Sequence, residues 1–245
     1  MNFIERPSPN FNARASDVRH AVVHYTGMKS RDGALERLCD PAAHVSAHYL
    51  IDQEGTVFRL VPEEHRAWHA GVSYWRGVRD INSTSVGIEL CNPGHDWGYR
   101  AFPAPQIAAL TDLLGGIFAR HRLSPEALLG HSDIAPSRKI DPGELFPWRD
   151  LAKNGFGLWP EDAPPVAGRA DLTGALRRLS EIGYAVPTTP EEGSDILNAD
   201  CAATDVIKAF QRRYLPSRID GRLDTLTSAR IAAVAVVYAL HRPTA

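Results

Sequence analysis

The feature that most constrains this fold is the stretch of residues 130–148, which reads GHSDIAPSRKIDPGELFPW. Three prolines interrupt it, at positions 136, 142 and 147. Proline lacks the amide donor that a helix interior requires and also restricts the residue before it, so no continuous helix can run through the segment. We therefore predict an ordered loop on which side chains keep defined positions.

Three residues of this loop, His131, Lys139 and Asp141, have side chains suited to a reaction centre. If residues 139–141 are extended, Lys139 and Asp141 point to one face and bring a cation and a carboxylate together. His24 lies near the end of a strand-like apolar run, AVVHYTG, where functional residues collect in α/β sheets. Two histidines and one aspartate would form a three-ligand zinc site with one position left for water, the catalytic form. Taken alone, His24 is also compatible with a histidine that packs in the core.

Glu89 is a second candidate, because it stands in the middle of the apolar run SVGIELC. Burying a carboxylate is costly unless the group is paired or its pKa is shifted. Buried acids with shifted pKa values are common at functional sites, so the position favours a catalytic role. The alternative is an acid on a solvated face of the sheet.

Periodicity predicts the main elements of the chain. Strands are predicted over residues 19–26, 48–52, 56–61, 85–91 and 128–130, with a hairpin loop at 53–55. Helices are predicted over residues 33–40, 105–121 and 146–154, and residues 1–18 are predicted to be a surface lead-in. The aromatic-rich loop at 65–77 covers either an edge of the core or a ligand.

Residues 157–168 (GLWPEDAPPVAG) predict a Pro-rich linker, which divides the chain into residues 1–156 and residues 169–245. The second part contains three predicted helices, at 172–182, 204–214 and 225–240, which suffice for a minimal bundle. It carries no catalytic constellation, so a stabilising role is one interpretation of it.

Composition limits the classes of partner and compartment. The net charge of −2 provides no field that would favour nucleic acid, and the longest apolar stretch, at 231–240, is too short to span a bilayer. The N-terminus lacks the basic and apolar regions of a signal peptide. Three widely spaced cysteines without a CxxC pair indicate reduced thiols. We therefore expect a cytoplasmic protein, with a periplasmic location as the alternative should an export signal lie beyond this sequence.

Five motifs in order resemble the zinc N-acetylmuramoyl-L-alanine amidases of the amidase-2 family (AmpD/AmiD type). They are HYT at 24–26, VSAHYLI at 45–51, RAWHAGVS at 66–73, SVGIEL at 85–90 and GHSDIAPSRKIDPG at 130–143. Residues 169–245 resemble a peptidoglycan-binding three-helix domain through ALRRLSEIGYAV, IKAFQRRY and DGRLDTLT. The resemblance implies an α/β fold, with a mixed central β-sheet flanked by helices, followed by the small C-terminal bundle.

The resemblance also implies roles for individual residues. One catalytic zinc ion (Zn²⁺) would be held by His24, His131 and Asp141, with Glu89 as the catalytic acid and Lys139 beside the metal. Further residues are expected to contact substrate: His48, Trp68, His69, Asn82 and Arg138.

The implied reaction is hydrolysis of the amide between N-acetylmuramic acid, in intact or 1,6-anhydro form, and L-alanine, in recycling or remodelling of the cell wall. The partner would be a muropeptide or peptidoglycan. Two alternatives stay open. One is a non-catalytic peptidoglycan recognition module on the same fold, against which the complete ligand set argues. The other is a zinc peptidase that cuts within the stem peptide, although the sequence lacks HExxH.

Overall fold

The computed structural model describes residues 2–161, 170–187 and 202–241. Eight strands are present in these residues: β1 (Ile4–Glu5), β2 (Phe11–Ala13), β3 (His20–Tyr25), β4 (Tyr49–Ile51), β5 (Val57–Arg59), β6 (His65–Ala67), β7 (Ser85–Leu90) and β8 (Leu128–Gly130). Six of them form a mixed sheet in the order β1-β5-β4-β7-β3-β8, and β2 pairs with β6 in a separate antiparallel ribbon. The predicted mixed central sheet is confirmed.

Eight α-helices accompany the strands in the described residues: α1 (Arg31–Cys39), α2 (Ile81–Thr84), α3 (Ala104–His121), α4 (His131–Ile134), α5 (Trp148–Lys153), α6 (Leu172–Ile182), α7 (Ala203–Tyr214) and α8 (Thr225–Leu240). None of them has both the length and the apolar character that crossing a membrane would need. The short α4 ends before Pro136, as the prolines of this segment require.

The centre of the sheet is buried on both faces, which explains why its strands are apolar without alternation. Strand β3 lies between β7 and β8 and runs parallel to both. Its residues Ala21 and Val23 pack in one core cluster with Leu114 and Ile117 of α3. The intervening Val22 faces a second core cluster on the other side of the sheet.

That second cluster joins the sheet to the C-terminal helices. Val22 and Leu129 belong to the same buried cluster as Leu179 of α6 and Phe210 of α7. The helices predicted at 172–182, 204–214 and 225–240 are present, and they pack on the second face of the sheet. The predicted linker lies largely outside the described residues, which resume at residue 170. The division of the chain into residues 1–156, 157–168 and 169–245 remains a prediction.

Most of residues 2–18 are exposed, as expected of a surface lead-in, but they also contain two paired strands that we did not predict. Strand β1 extends the edge of the main sheet by pairing with β5, and β2 pairs with β6. Arg14 follows β2, and its guanidinium donates to backbone carbonyls of Glu63, Ser83 and His65 at 2.7–3.0 Å. Strands of two or three residues are too short to show a period-2 pattern, so their pairing is decided by tertiary contacts.

Candidate active site

The candidate site lies at the C-terminal ends of three parallel strands of the sheet, β3, β7 and β8. His24 is the next-to-last residue of β3, and Glu89 occupies the paired position on β7. Because directly paired residues share a face, both side chains point to the same side of the sheet. His131 follows β8 immediately and opens α4. The fold thus brings three candidates together that are up to 107 residues apart in sequence.

Two histidine nitrogens and one carboxylate oxygen converge at this edge. Nδ1 of His24 lies 2.9 Å from Nδ1 of His131, and each nitrogen lies 3.1 Å from Oδ2 of Asp141. All three side chains are buried. Three mutual contacts of this kind cannot all be hydrogen bonds, because both nitrogens would have to donate to the carboxylate and two N–H groups would then face each other. The ligand atoms of a tetrahedral zinc lie about 3.3 Å apart, so the donor set fits such an ion.

The charges of this cluster also match a metal site. Burial, and then the charge of His131, lower the pKa of His24 to about 4. Burial alone would raise the pKa of Asp141, but the charges and hydrogen bonds of His131 and His24 outweigh it and hold that pKa well below its usual range. At neutral pH, His24 is therefore neutral and Asp141 is ionised. These are the protonation states in which both groups bind metal.

Backbone groups of Ala70 and Ser132 hold His131 and Asp141 in place. Nε2 of His131 lies 3.1 Å from the carbonyl oxygen of Ala70, which can only accept, so Nε2 carries the proton and Nδ1 presents its lone pair. The amide of Ser132 donates to the carbonyl of Asp141 at 2.8 Å. Arg138 donates to the carbonyls of Ala70 and Val72 and so connects the 130–148 segment to the 65–77 loop beside His131.

Glu89 lies on the floor of the cleft beside the cluster. Burial, and then the negative charge of Asp141, raise the pKa of Glu89 to about 8, while Lys139 opposes the shift. Its Oε2 is buried and has no hydrogen-bond partner within the described part of the chain. A carboxyl group of this kind can change protonation state near neutral pH, which is what proton transfer requires.

A cleft of about 500 Å³ opens over these residues. Its lining includes His24, Glu89, His131, Lys139 and Asp141, together with three of the five residues predicted to contact substrate, Trp68, His69 and Arg138. Tyr25, Arg37 and Asp96 also line it. Sequence reasoning missed these three. Only Tyr25 gave a signal, since it follows His24; Arg37 and Asp96 come from a helix and a loop that carry no motif.

His48 and Asn82 lie behind the cleft rather than in its lining. The ring of His48 is fully buried, and its Nδ1 accepts from the amide of Gly87 at 2.9 Å. Oδ1 of Asn82 accepts from the amides of His69 and Ala70 at 2.9 and 2.8 Å. His48 therefore supports strand β7, and Asn82 supports the loop that carries His69. The placement of these two side chains does not offer the substrate contact that we predicted.

The two ends of the aromatic loop at 65–77 lie in different surroundings. Trp68 is partly exposed in the cleft, and its Nε1 donates to Asn12 at 2.8 Å. Trp75 is only 1% exposed and packs edge-on against Tyr184, with 5.0 Å between ring centroids. One end of the loop thus faces the cleft, and the other end contributes to the core shared with the C-terminal helices.

Comparisons with known proteins agree with this geometry. The sequence profile of N-acetylmuramoyl-L-alanine amidases matches residues 14–144. The amidase AmiD of Escherichia coli K12 is 38% identical over 244 residues, which cover 90% of this chain and 83% of AmiD. The 1,6-anhydro-N-acetylmuramyl-L-alanine amidase AmpD of Haemophilus influenzae is 32% identical and covers 58% of this chain and 85% of AmpD.

Two solved structures are similar over nearly the whole chain. The complex of E. coli AmiD with anhydro-N-acetylmuramic acid-L-Ala-D-γ-Glu-L-Lys has a TM-score of 0.76 and 35% identity, and covers 91% of each chain. AmpDh3 of Pseudomonas aeruginosa has a TM-score of 0.77 and 32% identity, and covers 98% of this chain and 100% of that chain. A further AmpDh3 structure contains an anhydromuramic pentapeptide.

Proposed function

Because this chain belongs to the amidase-2 family of N-acetylmuramoyl-L-alanine amidases, we propose that it hydrolyses its substrate with a zinc ion held by His24, His131 and Asp141. The bond cleaved is the amide between N-acetylmuramic acid and L-alanine. The single observation that supports this mechanism best is the convergence of three ligand atoms within 3.1 Å of one another beside Glu89.

Zinc bound there would supply a Lewis acid for the scissile carbonyl, a nucleophilic water of lowered pKa, and a positive charge that brings the pKa of Glu89 down towards neutrality. In this proposal Glu89 accepts the proton of the attacking water and returns it to the amine of L-alanine as that group leaves. Lys139 lies in the same cleft and stabilises the negative charge that develops on the carbonyl oxygen. His131 and Asp141 hold their positions through the backbone contacts of Ala70 and Ser132.

For the substrate we propose a 1,6-anhydro muropeptide. The AmpD relatives are named for that sugar, and the solved complexes of AmiD and AmpDh3 contain anhydromuramyl peptides. This proposal is supported by three residues that line the cleft. Trp68 offers an aromatic face for stacking on a sugar or peptide plane, and Arg37 and Arg138 offer cations for the carboxylates of a stem peptide.

For the C-terminal helices we propose peptidoglycan binding, which would hold polymer near the cleft. The similarity to AmiD and AmpDh3 extends through this region, whereas the AmpD relative covers little more than half of the chain. A sedimentation assay with sacculi tests this role. Substitutions on the exposed face of α6–α8 should reduce the amount of protein that sediments and leave cleavage of a small muropeptide unchanged. Reduced cleavage of both substrates would instead indicate a stabilising role.

For the compartment we propose the cytoplasm, since two of the three cysteines, Cys39 and Cys91, are free thiols in the described residues. Fractionation of the native host, with the protein detected by antibody, tests this proposal. Recovery from the periplasm would overturn it.

The proposed function is tested with purified, zinc-loaded protein incubated in parallel with a 1,6-anhydro muropeptide and with intact sacculi. Products are identified by mass spectrometry. Release of a peptide that begins with L-alanine supports the amidase, and the faster substrate identifies the preferred form of the sugar. Retention of zinc without cleavage of either substrate would favour the recognition module instead.

A further inference from the structure

We propose that His69 and Ser85 are positioning residues that fix the tautomer of His24 and so present its Nδ1 lone pair to the metal. This inference rests on the proposed metal-binding role of His24. It arises from a row of polar atoms that leads away from the cleft. Nε2 of His24 lies 3.0 Å from Nδ1 of His69, and Nε2 of His69 lies 3.2 Å from Oγ of Ser85. The hydroxyl of Ser85 lies 2.5 Å from the carbonyl oxygen of Ile81.

The direction of each hydrogen bond follows from the last member of the row. The carbonyl of Ile81 can only accept, so Ser85 donates its single proton to it. Oγ of Ser85 is then left with lone pairs and accepts from Nε2–H of His69. A neutral His69 with its proton on Nε2 has a lone pair on Nδ1, which accepts from Nε2–H of His24. His24 therefore has its lone pair on Nδ1, the atom that lies among the other metal ligands.

The surroundings of His69 keep the ring in place. The His69 ring lies so close to strand β7 that a Cβ added at Gly87 would be 2.4 Å from the ring. Only glycine therefore fits at position 87. The side chain of Asn82 holds the amide of His69 from behind at 2.9 Å. His69 is thus confined to the orientation that the row of hydrogen bonds requires.

The two metal-site histidines are positioned by different means. His131 is oriented by a backbone carbonyl, that of Ala70, which substitution of a side chain cannot remove directly. His24 is oriented through the side chains of His69 and Ser85, so substitution of either residue should allow His24 to adopt its other tautomer. Although His69 lines the cleft, both of its ring nitrogens are engaged within the protein, and its role is to support His24 rather than to bind substrate.

The test compares zinc affinity in the full-length wild-type protein, Ser85→Ala and His69→Ala, measured by competition with a chelator of known affinity. Loss of a hydrogen-bond partner behind a metal-bound histidine typically lowers metal affinity about 10–100-fold. We expect roughly tenfold weaker binding for Ser85→Ala and a loss nearer the upper limit for His69→Ala. In parallel, ¹⁵N NMR of the histidine rings should show a proton on Nε2 of His24 in the wild type and a mixture of tautomers in both variants.

His20→Ala provides the matched control. His20 is a buried histidine on the same strand as His24, at the opposite end, and its Nδ1 has no hydrogen-bond partner in the described residues. This variant should lower the melting temperature and leave zinc affinity and the His24 tautomer unchanged. If His69→Ala fails to fold, Ser85→Ala alone provides the test, because it removes a single oxygen atom and is expected to fold.

The outcomes separate this inference from the proposed function. Wild-type protein that does not retain zinc contradicts the metal role of His24 itself. Wild-type protein that binds zinc, with both variants binding equally well and keeping one His24 tautomer, overturns the positioning role of His69 and Ser85. Weaker binding with mixed tautomers in the variants, and neither change in the His20 control, supports it.

Discussion

The ion pair between Asp133 and Arg213 offers the most direct test of how the C-terminal helices are held. Nη1 of Arg213 lies 2.6 Å from Oδ2 of Asp133, and the two side chains are 2% and 1% exposed. Oδ1 of Asp133 accepts from the hydroxyl of Tyr184 at 2.8 Å, and Oδ2 also accepts from the amide of Gly130 at 2.9 Å. The guanidinium stacks over the ring of Trp148 at 4.0 Å. Asp133 stands two residues after His131, a candidate metal ligand.

We expect Arg213→Met to lower the free energy of unfolding by about 3–5 kcal/mol, because it leaves the carboxylate of Asp133 buried without its cation. Asp133→Asn should cost a similar amount, since it leaves the guanidinium buried with neutral acceptors only, the carbonyl of Leu128 at 3.2 Å and the amide oxygen of the new side chain. The double variant removes both charges and should cost much less than the sum. For a chain of this size, the single losses correspond to a fall in melting temperature of roughly 6–20 °C.

Equilibrium unfolding in urea measures these differences, followed by tryptophan fluorescence and by far-UV circular dichroism at pH 7. A double-mutant cycle then isolates the pairwise term, which we expect to exceed about 2 kcal/mol. Single losses below about 1 kcal/mol, or changes that add within about 0.5 kcal/mol, would refute the reasoning. In that case the shared apolar cluster, rather than the ion pair, would hold the helices on the sheet.

Four further predictions concern the proposed catalytic groups, the metal and the stability that Glu63 provides. Glu89→Gln should lower kcat by at least about 10²-fold while zinc content, measured by atomic absorption, stays at the wild-type level. Lys139→Met should lower kcat by about 10²–10³-fold with little change in KM, whereas a change in KM alone would assign Lys139 to substrate binding. Removal of metal by a chelator should abolish cleavage and lower the melting temperature, and added zinc should restore both; activity that persists without metal would contradict the mechanism. Burial alone would raise the pKa of Glu63, but hydrogen bonds from Arg120, Tyr49 and His121 outweigh it and lower that pKa to about 2, from 4.5. The stability this provides, roughly 3 kcal/mol, is present above pH 4.5 and is lost as pH falls towards 2. Glu63→Gln should therefore destabilise strongly at pH 7 and much less at pH 3, and an equal effect at both pH values would contradict the shift.

Much of the candidate metal site could be predicted from the sequence because several of its residues lie in or directly after apolar runs of strand length. The run that ends near His24, the acid within SVGIEL and the short strand before His131 each gave a local signal. Parallel strands bring their ends to one edge, so these signals combine into a site without further information. The observed bounds of β8 and of helices α6 and α8 equal the predicted ones.

The contacts that sequence reasoning missed depend on residues brought together from distant parts of the chain. Nothing local distinguishes Asp133, which anchors a helix 80 residues away, from a surface acid. His48 and Asn82 were expected to contact substrate because they belong to or adjoin recognisable motifs, yet each satisfies a backbone amide behind the cleft. Motifs identify which positions matter, but the burial of a polar side chain decides whether it acts on substrate or on a neighbouring residue.

The shared core also bears on how enzymes of this kind can be recombined. The surface that receives the C-terminal helices is built from residues of the catalytic unit, among them Asp133 within the GHSDIAP motif and Trp75 in the aromatic loop. On the helical side, Tyr184 and Arg213 complete it. A graft of the helical unit onto another catalytic unit would therefore leave a buried charge unpaired unless both sides of this surface were transferred together. We therefore expect the two parts to be transferable only as a pair.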